Sequence, residues 1–194
     1  MNIIGIDPGI NGAITFLNED GTYKIFTIPT KAENRRGGRK IDISSLHNIL
    51  TNCDFHNTIV YIEKAQAFPG QGVVSMFNYG IAYGILLSLI HIYPFAGVRY
   101  IPPSEWKQYF WILGKKKEGV HASTKRDWFL DVASYMREYN INLIVEMNED
   151  GKKTTKRAIS DAEDSYMIAR FGFFNQSKDF PELNMIMANI KQKL

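Results

Sequence analysis

The stretch IIGIDPGINGAI, residues 3 to 14, constrains this chain more than any other. A β-favouring run enters Asp-Pro-Gly, the chain must reverse through Ile-Asn-Gly, and a second apolar run then begins. Such a segment is a strand, a tight turn and an antiparallel partner. KIFTI, 24 to 28, after the turn residues NEDG at 18 to 21, extends the pair to a three-stranded meander. The first strand ends in a carboxylate, Asp7, and local sequence leaves it two roles. It caps the turn before Pro8, or it is an acid held at the end of a rigid strand for chemistry.

Further along, ENRRGGRK at 33 to 40 reads as a polar loop, and Asp42 as the N-cap of a helix with Leu46, Ile49 and Leu50 on one face. TIVYIE, 58 to 63, is a strand ending in Glu63, followed by the loop KAQAFPGQG. Apolar density is nearly continuous from Val73 to Ile92, which predicts a helix buried on more than one side. The apolar run Ile81 to Phe95, broken by His91, is shorter than the roughly 18 to 20 residues of a membrane span, so no membrane partner is expected. A strand at Val98 to Ile101 precedes PPSEW, which opens a helix with Ser104 as its cap. A helix from Ser123 or Thr124 to about Tyr139, a strand or hairpin in INLIVEMNEDGKK, a helix over RAISDAEDSYMIARFGFF and a terminal helix over PELNMIMANIKQK complete the reading. In the third of these, Ala162, Ser165, Tyr166 and Ala169 lie towards the core.

The 194 residues carry no internal repeat, so a single α/β domain over 1-194 is expected. The beginning of the chain lacks a secretory pattern and Cys53 is the one cysteine, which together predict an intracellular protein. The net charge of +3 is unevenly spread. Lys115, Lys116 and Lys117, then Lys125 and Arg126, then Lys152, Lys153, Lys156 and Arg157 form basic clusters, and Arg35, Arg36, Arg39 and Lys40 form another. Any one of these is explained by a solvated surface, but four together favour a polyanionic partner.

Four acids stand out against this background. Asp7 and Glu63 end strands, and Asp161 and Asp164, three apart on one helix, project from one face. If the two strands lie side by side, the carboxylates emerge together at one sheet edge, and a helix across that edge brings the aspartate pair to them. Such a cluster repels itself without cations. Hard divalent ions, two of them about 3.5 to 4 Å apart, suit it and suit in-line phosphodiester displacement. Taken singly, each acid also has a plainer explanation: Glu63 as an exposed strand end paired with a base, Asp161 as a helix N-terminal residue favoured by the dipole, and Asp164 as its solvated neighbour.

IIGIDPGINGAI, VYIEKAQAFPGQG and SDAEDSYMIA resemble, in the same order and over nearly the whole chain, the three acidic motifs of RuvC-type Holliday junction resolvases, most closely those of bacteriophage type. The resemblance implies an RNase H-like fold, a mixed five-stranded sheet of three antiparallel strands plus parallel strands, flanked by helices. It implies a homodimer that nicks four-way junctions and related branched DNA symmetrically, with two Mg²⁺ or Mn²⁺ ions per active site. Carried over by motif, the metal-binding acids are Asp7, Glu63, Asp161 and Asp164. PSEWKQYF and ASTKRDWF resemble the family's lysine-bearing region, which makes Lys125 the candidate beside the scissile phosphate and Lys107 a phosphate contact. Arg126 and Lys115 to Lys117 are further DNA contacts on this reading. The loop after the glutamate, with Phe68 and Gln71, is where the family enters the junction centre. Gly80 and Gly84 lie on the helix that forms the family's dimer interface. The segment 141-157 is longer than the resemblance implies and reads as a basic hairpin insertion. An RNase H-like nuclease acting on RNA-DNA hybrids or flaps uses the same acids. An actin-like ATPase needs a second phosphate loop and a much longer chain. A silent junction-binding module does not need the full acid set.

Overall fold

The computed structural model describes residues 1–33, 38–67, 70–110, 145–146 and 156–180, with backbone only at 145–146, 156–161 and 177. Three strands, β1 (Asn2–Asp7), β2 (Ala13–Leu17) and β3 (Tyr23–Thr27), pair antiparallel as the turn residues predict. A short hairpin follows, β4 (Thr30–Ala32) with β5 (Arg39–Ile41), and then helix α1 (Ile43–Leu50). Next come β6 (Thr58–Glu63), the long helix α2 (Val73–Ile92), β7 (Gly97–Ile101) and α3 (Pro103–Tyr109). A two-residue strand, β8 (Val145–Glu146), and helix α4 (Lys156–Asp179) complete the described elements.

The main sheet has the order β7-β6-β1-β2-β3-β8, with β6 parallel to β1 and β7 parallel to β6. This is the mixed α/β, RNase H-like arrangement that the motifs imply, with β8 added as a sixth strand, parallel to β3. Alternation along the strands sorts the core into two layers. Ile4, Ile6, Ile14, Val60 and Ile62 face α1 and α2, whereas Ile3, Ala13, Leu17, Ile59, Tyr61 and Ile101 face α3 and α4.

Three expectations need correction. α2 is buried on one side only. Ala82, Leu86 and Ile90 form its buried stripe, while Val73 (85%), Phe77 (68%) and Ile81 (48%) are exposed. A continuous apolar run does not by itself reveal which stripe meets the sheet, and among the described residues the outer face of α2 is uncovered. By length and composition alone α2 is also apolar enough to cross a membrane, although its inner stripe is packed into the core. The second correction is in the 33 to 40 segment, whose end forms β5 and not only loop. Third, the cap of α3 is Pro102, because Pro103 occupies the first helical position and leaves Ser104 inside the first turn. The expected helix from Ser123 or Thr124 and the terminal helix lie outside the described residues.

Candidate active site

The site begins with the strand register. Ile6 is opposite Ile62 in the parallel β1–β6 pair, so Asp7 and Glu63 are the next residues on two neighbouring strands, which lie about 4.8 Å apart. Alternation puts Ile3, Gly5 and Asp7, and likewise Ile59, Tyr61 and Glu63, on the face covered by α3 and α4. The two carboxylates thus emerge side by side beneath the helix that carries Asp161 and Asp164. Directly after Asp7 the chain turns through Gly9, whose φ of 137° is open to glycine and strained for other residues, and Gly12 N–H bonds back to the Gly9 carbonyl at 3.1 Å.

α4 is set onto this face by two contacts. A Cβ on Gly5 would stand 2.4 Å from the backbone nitrogen of Ala169 and 2.4 Å from the carbonyl oxygen of Ser165, so the missing side chain is what lets helix and strand backbones touch. Beside it, Thr15 Oγ1 and Ser165 Oγ, both buried, lie 2.8 Å apart. Ser165 gives its one proton to the Ala162 carbonyl at 2.9 Å, so Thr15 donates to Ser165. These contacts hold the turn of α4 immediately next to Asp164. Asp164 is half-buried; the side chain of Asp161, one turn earlier, lies outside the described set. Among the described residues no three His, Cys, Asp or Glu side chains stand close enough to hold an ion by themselves. The described centre is therefore the Asp7–Glu63 pair, with α4 above it.

Glu63 is held by its neighbours on β7 and α3. β7 ends beside it, Glu63 opposite Ile101, and Lys64 N–H bonds to the Ile101 carbonyl at 2.8 Å. The two prolines then start α3 at that point, and the fully buried indole of Trp106 donates from Nε1 to Glu63 Oε2 at 2.8 Å. Lys107 Nζ lies 4.8 Å from the centre of the Trp106 ring, a cation–π contact. Burial pushes the Glu63 carboxyl above the usual carboxylate range, while Lys107 and the indole N–H favour its ionised form. One of its oxygens, Oε2, is thereby engaged by Trp106. α3 is itself clamped, since Arg99 on β7 pairs with Glu105 of α3 and with Asp179 of α4, and the Tyr61 hydroxyl donates to Asp179 at 3.1 Å.

Of the residues singled out in the sequence, Asp7, Glu63 and Lys107 share this centre. Gln71 is exposed immediately before α2, and Gly80 and Gly84 lie on its open outer face, where an added Cβ would meet nothing within 4 Å. Phe68, Lys115, Lys116, Lys117, Lys125 and Arg126 lie outside the described residues. In the 141-157 segment, Val145 and Glu146 form β8, and Lys156 and Arg157 open α4. Sequence reading missed Trp106 and Tyr79. The Tyr79 ring comes within 3.5 Å of a Cβ placed on Gly9, and burial, then Glu63, then Asp7 push its hydroxyl above the ordinary tyrosine range. A neutral phenol therefore stands beside the acid pair. The available signal was its place in the second turn of the helix that follows the glutamate strand, which further aromatic residues on an apolar helix obscure.

Asp7 and Glu63 offer hard oxygen donors, and burial disfavours the Glu63 anion although Lys107 partly offsets its charge. These features fit a hard divalent cation.

No family model and no curated protein matches the chain. Among solved structures it is similar to T. thermophilus RuvC in complex with a Holliday junction substrate, at 14% identity and TM-score 0.45, over 89% of this chain and 98% of that one. It is also similar to the yeast mitochondrial Holliday junction resolvase Ydc2, at 17% identity and TM-score 0.47, over 99% of this chain and 84% of that one. A second Thermus thermophilus RuvC structure matches at 18% identity and TM-score 0.41, over 89% and 98%.

Proposed function

We propose that this chain is a divalent-metal-dependent endonuclease that resolves four-way DNA junctions by symmetric paired nicks. The observation that carries the reading is the placement of Asp7 and Glu63 at adjacent parallel strand ends, on the face where α4 brings the third acidic motif. Asp7, Glu63, Asp161 and Asp164 would hold two ions, Mg²⁺ or Mn²⁺. When bound, such ions supply a nucleophile at neutral pH and neutralise charge at the leaving oxygen. The chain's own part is to present the ligands. Trp106 fixes the rotamer of Glu63, Lys107 offsets its charge, and Gly5 sets the height of α4. Lys125 is the proposed contact at the scissile phosphate.

Two equivalent cuts need two sites facing two equivalent phosphates, which a C₂ dimer supplies. The open face of α2, with Phe77, Gly80, Ile81 and Gly84, is the proposed seat of the second copy. A wild-type protein that sediments as a monomer at assay concentrations would remove the dimer from this account.

The central test is cleavage of a synthetic mobile four-way junction with Mg²⁺, beside an RNA-DNA hybrid and a flap. Paired symmetric nicks confined to the junction are expected from the wild type, and binding without cleavage from Asp7→Asn. Preferential cutting of the hybrid or flap moves the assignment to that substrate, and a wild-type rate in Asp7→Asn overturns the mechanism.

A further inference from the structure

The β4–β5 hairpin stands at the carboxylate end of the sheet. β3 runs in the same sense as β1, so its end at Thr27, opposite Ala13, lies beside the Asp7 turn, and the hairpin continues from there. Ile28 N–H bonds to the Gly12 carbonyl at 2.9 Å, and Asp42 N–H closes the base of the hairpin on the Pro29 carbonyl at 2.8 Å. The guanidinium of Arg39 donates to Asn11 Oδ1, within the turn that follows Asp7. Ile41 and Ile28, both buried, root the hairpin in the core. A ribbon of three residues per strand has no stability of its own, and these ties are what hold it in place.

Its charge pattern runs against ribbon stability. Lys31 is directly opposite Lys40, both exposed, and like charges in opposed positions destabilise a strand pair. Lys31 has Asp42 at 3.4 Å, but among the described residues Lys40 has no ion-pair partner. The 30–42 sequence carries five bases, Lys31, Arg35, Arg36, Arg39 and Lys40, against Glu33 and Asp42. That excess of three equals the net charge of the whole chain. A ribbon rooted at the carboxylate end of the sheet that retains opposed lysines is suited to a phosphate backbone, which relieves the repulsion and brings the polyanion towards the site.

We propose that the β4–β5 ribbon is a backbone-binding arm, with Lys31 and Lys40 contacting phosphates of a duplex arm as it passes the Asp7 turn. This rests on the nucleic-acid substrate assigned above but not on its branched form. The test is equilibrium binding of the full-length protein to a four-way junction and to a linear duplex across a salt series without divalent metal, comparing wild type, Lys31→Gln/Lys40→Gln and Lys31→Arg/Lys40→Arg. Each phosphate contact contributes about 0.9 to the slope of log affinity against log salt, so the Gln pair should flatten it by about 1.8 and weaken binding at least about tenfold at 0.1 M salt. The Arg pair should keep the wild-type slope. Thermal melting should show the Gln pair folded, since it removes an unfavourable cross-strand pairing. A Gln pair with an unchanged slope on both DNAs overturns the arm. If the slope falls on both DNAs while wild type shows no junction preference, the arm stands and the junction assignment fails. If wild type binds neither DNA, both fall.

Discussion

Replacing Gly5 by alanine tests the geometry of the whole site with one methyl group. The added Cβ would stand 2.4 Å from two backbone atoms of α4 and 2.8 Å from Ala169 Cα, against ordinary contact at 3.4 Å and beyond. Neither side yields locally, because Gly5 is in a strand paired on both edges and the contacts belong to the backbone of a 24-residue helix. The helix must therefore rise by about 1 Å, the difference between 3.4 and 2.4 Å. Overpacking of this kind costs roughly 1 to 3 kcal/mol. The same movement lengthens the 2.8 Å Thr15–Ser165 bond past useful range, and stranding buried hydroxyls adds about 1 to 3 kcal/mol. Urea denaturation should accordingly show a loss of roughly 2 to 5 kcal/mol. In the fraction still folded, Asp164 shifts relative to Asp7 and Glu63, and a 1 Å misplacement costs on the order of 100-fold in rate. Junction affinity without divalent metal should stay within a few-fold of wild type. Gly172→Ala is the control. Its Cβ would meet the Tyr61 ring at 2.4 Å, on the same helix but over β6, so stability should fall while the rate falls far less. A Gly5→Ala protein with wild-type stability and wild-type cleavage would refute the claim that this close approach positions the acids.

Two further outcomes follow from Glu63. Its carboxyl is raised above the ordinary value by burial, so its contribution to metal-free stability is complete below the unfolded carboxyl pKa and is lost as pH rises through the folded one. Thermal melts of metal-free Glu63→Gln should therefore draw ahead of wild type as pH rises from about 4.5 towards neutrality. Added Mg²⁺ should narrow the gap by stabilising wild type alone, and a gap that does not change with pH contradicts the assigned burial effect. Trp106→Phe keeps most of the ring and deletes the indole N–H on Glu63 Oε2. Mn²⁺ titration by calorimetry should show affinity down by about 10- to 100-fold, the usual cost of losing a group that orients a metal ligand. Unchanged Mn²⁺ affinity would reduce Trp106 to a packing role.

Legibility in the sequence followed the strength of the local signal. The β1–turn–β2 unit was readable because Pro8, Gly9 and Gly12 punctuate two β-branched runs, and α4 was readable because Ala162, Ser165, Tyr166 and Ala169 keep helical spacing and are all buried. α2 was readable as a helix but not as to its face. Nearly every position is apolar, so no stripe distinguishes Ala82, Leu86 and Ile90 from exposed Val73, Phe77 and Ile81. β5 was hidden for the opposite reason. In Arg39-Lys40-Ile41 only Ile41 carries a burial signal, and pairing with Thr30–Ala32 is decided by the tertiary ties to Gly12, Asn11 and Pro29. The Trp106–Glu63 bond joins residues 43 apart and depends on β7 ending beside β6, which no local pattern encodes.

The choice between the two roles of Asp7 turns on the residue two before it. A turn cap needs only Pro8 and the reversal that follows, and any residue at position 5 would serve. A chemical role needs a helix brought down onto the same face, and strand alternation places Gly5 on that face, between Ile3 and Asp7. The absent side chain admits the α4 backbone at the nearest same-face position to the carboxylate, and Ala13, opposite Asp7 in β2, is likewise small and buried in the same core layer as Ala162. Small residues around an acid at a strand end make room for a neighbouring element, which a turn cap does not require. The same reasoning applies to β6 with the opposite sign. There Tyr61 fills the position two before Glu63, and it is the helix that supplies the gap, at Gly172. Closeness of α4 to the sheet is thus built once from each side, at Gly5 beside the turn that carries Asp164 and at Gly172 about two turns further along the helix.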